Sequence, residues 1–276
     1  MDGPKTRLAL QAWTLLVLAF LFFPLFLIFL YAFNSSNIQS WPIPGLTLRW
    51  FTATWNDYQV REALLLSVEA GLTATGVALV LGSCAAFAIH RTTFFGRDTV
   101  SLLFVLPLAL PGIITAVALN AFFNFNGISL SLWTIVIGHT TFCIVVVYNN
   151  VLARLRRTQP SLIEAAMDLG ANGWQAFRDV TLPLISTSIV AGAMLAFALS
   201  FDEVIVTTFT AGAQTTLPIY ILDHIQRGQN LPVVNAIVFV VILLTVIPVT
   251  IAQRLTHEQG VLRRGGAVAA EPVGEI

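Results

Sequence analysis

Six long apolar runs constrain this chain more than any other feature. They span about residues 8–33, 63–89, 99–123, 131–153, 184–209 and 233–253 of 276. A bilayer core of roughly 30 Å is crossed by about 20 apolar residues in a helix, where the backbone polar groups are satisfied within the segment itself. With 57% hydrophobic and only 10% charged residues, the runs predict an all-α membrane protein with six transmembrane helices. They form one transmembrane domain, 1–258, followed by a Gly- and Ala-rich tail, 259–276, expected to be disordered. The first run follows Lys5 and Arg7 and could be mistaken for a secretory signal. Its 26 residues exceed a signal core of roughly 7–15, and no small-x-small site ends it, so it predicts a membrane span.

Basic residues orient the spans. With both termini cytoplasmic, eleven of the fourteen Lys and Arg fall inside, and only Arg49, Arg61 and Arg227 fall outside. This asymmetry is the positive-inside pattern. In the outer segment 34–61, Trp41-Pro-Ile-Pro-Gly45 predicts a turn-rich loop, and Trp50, Phe51 and Trp55 a short interfacial helix. That segment suits contact with another protein or plain anchoring by its tryptophans. Residues 210–232 are expected to form another outer loop with one short helix. Gly82 with Ala86 and Gly192 with Ala196 are small-xxx-small pairs that let helices approach closely. Pro107 and Pro111 predict a kink in the third span.

Chemistry in the chain is sparse. A net charge of zero gives no reason to expect nucleic acid. Lys5 is the sole lysine, so no phosphate-binding G-x-x-x-x-G-K-[ST] loop exists, and energy must come from a partner or an ion gradient. His90, His139, His224 and His257 lack metal-ligand spacing, and Cys84 and Cys143 form neither a disulfide framework nor a metal motif. His139 and Cys143 lie one helical turn apart, as base and nucleophile or as a hydrogen-bonded histidine and a packed thiol. Nothing marks an oxyanion hole or a third orienting group, and no enzyme is expected.

A polar island, 154–183, interrupts the apolar pattern on the cytoplasmic side. Ser161 as N-cap with Glu164 three residues on predicts a helix over about 162–169, with Gly170 and Gly173 as stops. Glu164 and Asp168 are one turn apart, and the small Ala165 and Ala166 would let another protein approach closely. The alternative is an amphipathic helix lying on lipid.

Three carboxylates, Glu69, Asp202 and Glu203, fall within apolar runs. Each costs about 3 kcal/mol to insert, so such groups normally face a cavity, a partner or a watery route. Asp202 and Glu203 lie roughly 27 Å along the fifth span from its cytoplasmic end, toward the outer third of the bilayer. In a continuous helix, Glu203 shares the more polar face with Ser200 and Thr207. Two uncompensated negative charges suit a cationic substrate. One of them could instead pair with an arginine, such as Arg61 or one from another subunit, and Glu69 could simply reach the headgroups.

The island carries a family resemblance. Glu164-Ala165-Ala166, then Gly170, then Val180-x-Leu182-Pro183 resembles the EAA signature of bacterial ABC importer membrane subunits. Val180, where isoleucine is usual, is the one departure. Similarity to the PotC class of spermidine/putrescine permeases extends over nearly the whole chain, including Leu106-Pro-Leu-Ala-Leu-Pro-Gly112 and Leu199-Ser-Phe-Asp-Glu203. The resemblance implies the type I ABC importer permease fold in the bacterial inner membrane. It also implies a second permease, PotB-like or a second copy, two ATPase subunits that bind ATP-Mg, and an extracytoplasmic substrate-binding protein. The Glu164 helix would then sit in a groove of the ATPase, and the acidic pair on a polyamine route. The reading from another class is a secondary transporter with Asp202 and Glu203 as proton relay; the EAA island speaks against it.

Overall fold

In the computed structural model, residues 3–246 are described. The expected tail, His257 and the end of the last apolar run lie outside the described residues. The described residues divide into two compact units, residues 59–222 and the segments flanking them. Among the described residues the architecture is helical throughout, with one isolated bridge, Asn34 to Leu46, in place of any strand.

The flanking unit contains α1 (Pro4–Ala32), the short α2 (Arg49–Asn56) and α12 (Leu231–Val246). Phe239 of α12 meets Phe29, Phe33 and Phe51 at ring-centroid distances of 4.9, 5.2 and 5.6 Å. Such edge-to-face pairs add specificity to apolar burial. The loop before α2 is fastened by its own polar groups. Trp50 Nε1 donates to the Asn34 carbonyl at 2.7 Å, and Arg49 donates to the Ser35 carbonyl at 2.7 Å.

The central unit is built around α6 (Leu132–Arg157). Packed on it are α3 (Tyr58–Arg91), α4 (Arg97–Ala109) and α9 (Leu182–Asp202). Both small-residue pairs do what their spacing implies. A Cβ at Gly82 would stand 3.0 Å from the Ile144 carbonyl oxygen and from Val147 Cβ, and Ala86 and Ala196 are fully buried. Gly192 looks onto Val147 Cα from α9, so Val147 is flanked by backbone approaches from two helices.

Three departures from the sequence reading matter. The third span is broken rather than kinked: α4 and α5 (Gly112–Phe125) meet at 99°. Pro111 lacks an N–H and disfavours helix at Leu110, whose ψ is 145°, so the helix ends there. The fifth span starts earlier, at Gly173, and runs through Asp202 as 30 residues. Its first part is α8 (Gly173–Gln175) followed by a π-helical stretch, Ala176–Thr181. Leu182 N–H reaches the Phe177 carbonyl, five residues back. This wider turn directly precedes Pro183, whose ring would clash with a carbonyl in the α position. Finally, the fifth span stops at Asp202 instead of running to residue 209, and a separate α10 (Ile205–Thr210) follows. Among the described residues four helices are long and apolar enough to cross a membrane, or five with the bent pair as one span, and α12 is shorter.

Candidate functional site

The polar island contains α7 (Ser161–Asp168), within a residue of expectation. The capping box does not form. Pro160 is the N-cap, with no side-chain cap bond, because proline's fixed φ already starts the helix and places Ser161 inside it. At the other end, Gly170 has φ +89° and donates to Met167 O at 2.9 Å, while Ala171 donates to Ala166 O at 3.0 Å. These two bonds form a Schellman stop, which favours glycine at the left-handed position.

No α7 residue is buried, and Glu164, Ala165 and Asp168 are exposed. Leu162, Met167 and Leu169 also present apolar surface. Glu164 and Asp168 make no ion pair among the described residues. Behind α7 lies a cavity of about 270 Å³ against the C-terminal ends of α3 and α6, and Ile163, Glu164 and Met167 line it. Leu182 and Pro183 are exposed at the start of α9. Close by, Arg154 Nε donates to the Leu184 carbonyl at 2.9 Å and ties the end of α6 to α9.

The other polar cluster surrounds the end of α9. Asp202 is exposed and has no hydrogen-bond or ionic partner among the described residues, Arg61 included. Glu203, half-buried, is in extended conformation, with ψ 112°. Its Oε1 accepts from the Val206 N–H at 2.9 Å, so it caps the first turn of α10.

Ser200 and Thr207 depart from the expectation that they flank a lumen beside Glu203. They are 2% and 0% exposed, turned into the subunit, and both bond to His139. The break at Glu203 removes the continuous helix on which the shared face was reckoned. Glu69 is exposed on α3 without a partner among the described residues. His139 and Cys143 do not form a dyad: the thiol donates to the Ala196 carbonyl at 3.3 Å, and the imidazole is engaged elsewhere. The sequence reading set His139 aside. The available signal was that a histidine at mid-span must find polar partners.

A helical membrane chain with an EAA island on an exposed helix has the build of an importer permease. Residues 78–257 match the family described as "Binding-protein-dependent transport system inner membrane component", and the chain belongs to that family. It is a multi-pass inner-membrane transport subunit, and not an enzyme. It is 31% identical to the spermidine/putrescine transport system permease protein PotC of Haemophilus influenzae, over 90% of this chain and 96% of that one. It is 33% identical to the putrescine transport system permease protein PotI of Escherichia coli K12, over 81% and 82%. Among solved structures, a bacterial ABC transporter that imports the acidic polysaccharide alginate superposes with TM-score 0.68 at 16% identity, over 94% of this chain and 98% of that one. That likeness establishes the ABC importer permease fold.

Proposed function

We propose that this chain lines the translocation path of an ATP-driven importer for a cationic solute of the polyamine class. The observation that carries the reading is Asp202: an exposed carboxylate at a helix break, without a partner among the described residues. A group so costly to insert into a membrane is kept where a cation or water meets it. The names of the relatives PotC and PotI point to the same substrate class. Glu69 is a further acidic group on that route, and Glu203 contributes as the cap of α10.

In this reading six spans place both termini in the cytoplasm. A second permease subunit, PotB-like or another copy, completes the path, and a binding protein delivers the solute from outside. Two ATPase subunits bind ATP-Mg and grip α7 through Glu164, Ala165, Ala166, Asp168 and the Gly170 turn. Their closure moves α7 against the Leu182-Pro183 start of α9 and opens the path outward. The exposed apolar side chains of α7 support a protein partner there.

The test is uptake by the purified complex in vesicles against a panel of putrescine, spermidine, a neutral sugar and an anionic solute. ATP-dependent uptake confined to the polyamines is expected; uptake confined to the sugar or the anion would refute the substrate class. Orientation is checked in a Cys84→Ala background. Ser161→Cys should react with an impermeant thiol reagent from the cytoplasmic face alone, and Gln39→Cys from the outer face alone.

A further inference from the structure

His139 is a buried polar group whose partners stand on both sides of the acidic break. Its ring is 1% exposed on α6. Nδ1 lies 2.7 Å from Ser200 Oγ in the last turn of α9, and Nε2 lies 2.8 Å from Thr207 Oγ1 in α10. Thr207 spends its one hydroxyl proton on the Glu203 carbonyl, at 2.6 Å. Its oxygen is therefore left to accept from Nε2–H, and in the neutral ring Nδ1 accepts from the Ser200 hydroxyl. Each group then has one role, and the imidazole ties both helix ends to α6.

The surroundings reinforce this clamp. Thr134 Oγ1 donates to the Thr210 carbonyl at 2.7 Å, and Gly138 admits Val206 so closely that a Cβ there would stand 2.8 Å from its Cγ1. Asp202 has no side-chain partner of its own among the described residues. Its placement is inherited from the two helix ends that flank it. If packing alone were required, leucine would fill the site without burying two polar nitrogens; histidine adds a donor and an acceptor facing opposite ways.

We propose that His139 is a positioning residue for substrate entry: by holding Ser200 and Thr207 it sets where the Asp202 carboxylate stands, and so how a cation is received. The proposal rests on the reading of Asp202 as a path carboxylate. The experiment uses the whole complex in vesicles with two readouts.

In a Cys84→Ala, Asp202→Cys chain, the rate of labelling by a small thiol reagent is measured without substrate. His139→Leu should change it about tenfold, the scale of one or two hydrogen bonds, and His139→Gln, which keeps a donor and an acceptor, should restore it. With Asp202 intact, His139→Leu should raise KM for putrescine uptake about tenfold with kcat little altered, again restored by His139→Gln.

Equal labelling in the His139, Leu and Gln forms overturns the proposal, as does an unchanged KM where labelling has shifted. If no form takes up a polyamine, wild type included, the substrate reading fails while the labelling shift still supports positioning. Should His139→Leu fail to assemble, Ser200→Ala and Thr207→Val remove one bond each. A normal labelling rate in both then counts against the clamp.

Discussion

The α7 helix and the α9–α10 break each carry an acidic pair, Glu164 with Asp168 and Asp202 with Glu203, and they use it differently. On α7 neither carboxylate has an ionic partner among the described residues, and no residue of the helix is buried. At the break, one carboxylate caps a helix, the other has no partner among the described residues, and the neighbouring hydroxyls are locked to His139. The exposed helix leaves its groups unspent, as suits the docking proposed for it. The break spends nearly all of its groups on holding two helix ends.

The glycines repeat the contrast. Gly170 needs its backbone conformation, φ +89°, but has open space around it; Gly138 lies within helical α6 and needs the space. A side chain at Gly170 is therefore strained without a clash, and one at Gly138 clashes without strain.

The largest effect is expected at the break. The double change Asp202→Asn, Glu203→Gln should lower putrescine or spermidine uptake by at least about a hundredfold, since charges in a poorly solvated route count for more than in water. Assembly, read by co-purification of the subunits, should persist. Of the single changes, Asp202→Asn should be the larger. That reverses the order expected from a continuous helix, because Glu203→Gln keeps an oxygen able to cap Val206. Undiminished uptake by the double variant would leave both carboxylates a structural role and remove the contrast with α7.

Gly170→Asp comes next. Left-handed backbone costs a non-glycine residue about 1–2 kcal/mol, and the added charge falls on the surface proposed to meet the ATPase. Substrate-stimulated ATP hydrolysis should fall about tenfold, with the isolated permease losing no more in thermal unfolding than that strain of about 1–2 kcal/mol. If both ATPase co-purification and stimulated hydrolysis stay normal, α7 is not the docking element.

Gly138→Ala should behave in the opposite way. Overpacking against Val206 should destabilise the permease by about 1–3 kcal/mol in thermal unfolding in detergent, with ATPase co-purification intact. The smallest effect should come from Gly192→Ala. Its new Cβ would meet Asn150 Cβ and Val147 Cα at 3.5 Å, an ordinary contact, and a shift of less than about 0.5 kcal/mol is expected. A large loss there would mean that α6 and α9 pack more tightly than these distances indicate.

Much of α7 was legible in the sequence because its determinants are local. The stretch from Glu164 to Gly170 states both a helix and its stop, and the short helices α2 and α11 (Leu217–Arg227) likewise fall where turn and aromatic signals put them. Apolar run length sufficed for the helical membrane class, and Gly82, Ala86, Gly192 and Ala196 marked the faces that meet α6. Proline chemistry foretold a disturbance near residue 111 but not its 99° size, because a bend angle depends on what packs on either side.

The acidic break was not legible, since no proline or glycine stands at residues 202–205 to mark it. Helical continuity through Thr207 was the natural reading of an unbroken apolar run. What ends α9 there is a set of bonds to a histidine 61 residues before Ser200 and 68 before Thr207, together with a glutamate that turns back to cap the next helix. Local spacing determines which segments are helices and where an exposed one stops, because those interactions close within a turn or two of the chain. Which hydroxyls face inward, and which carboxylate caps the next helix, was decided only in the tertiary structure, where buried polar groups take whatever partners the packing brings within reach.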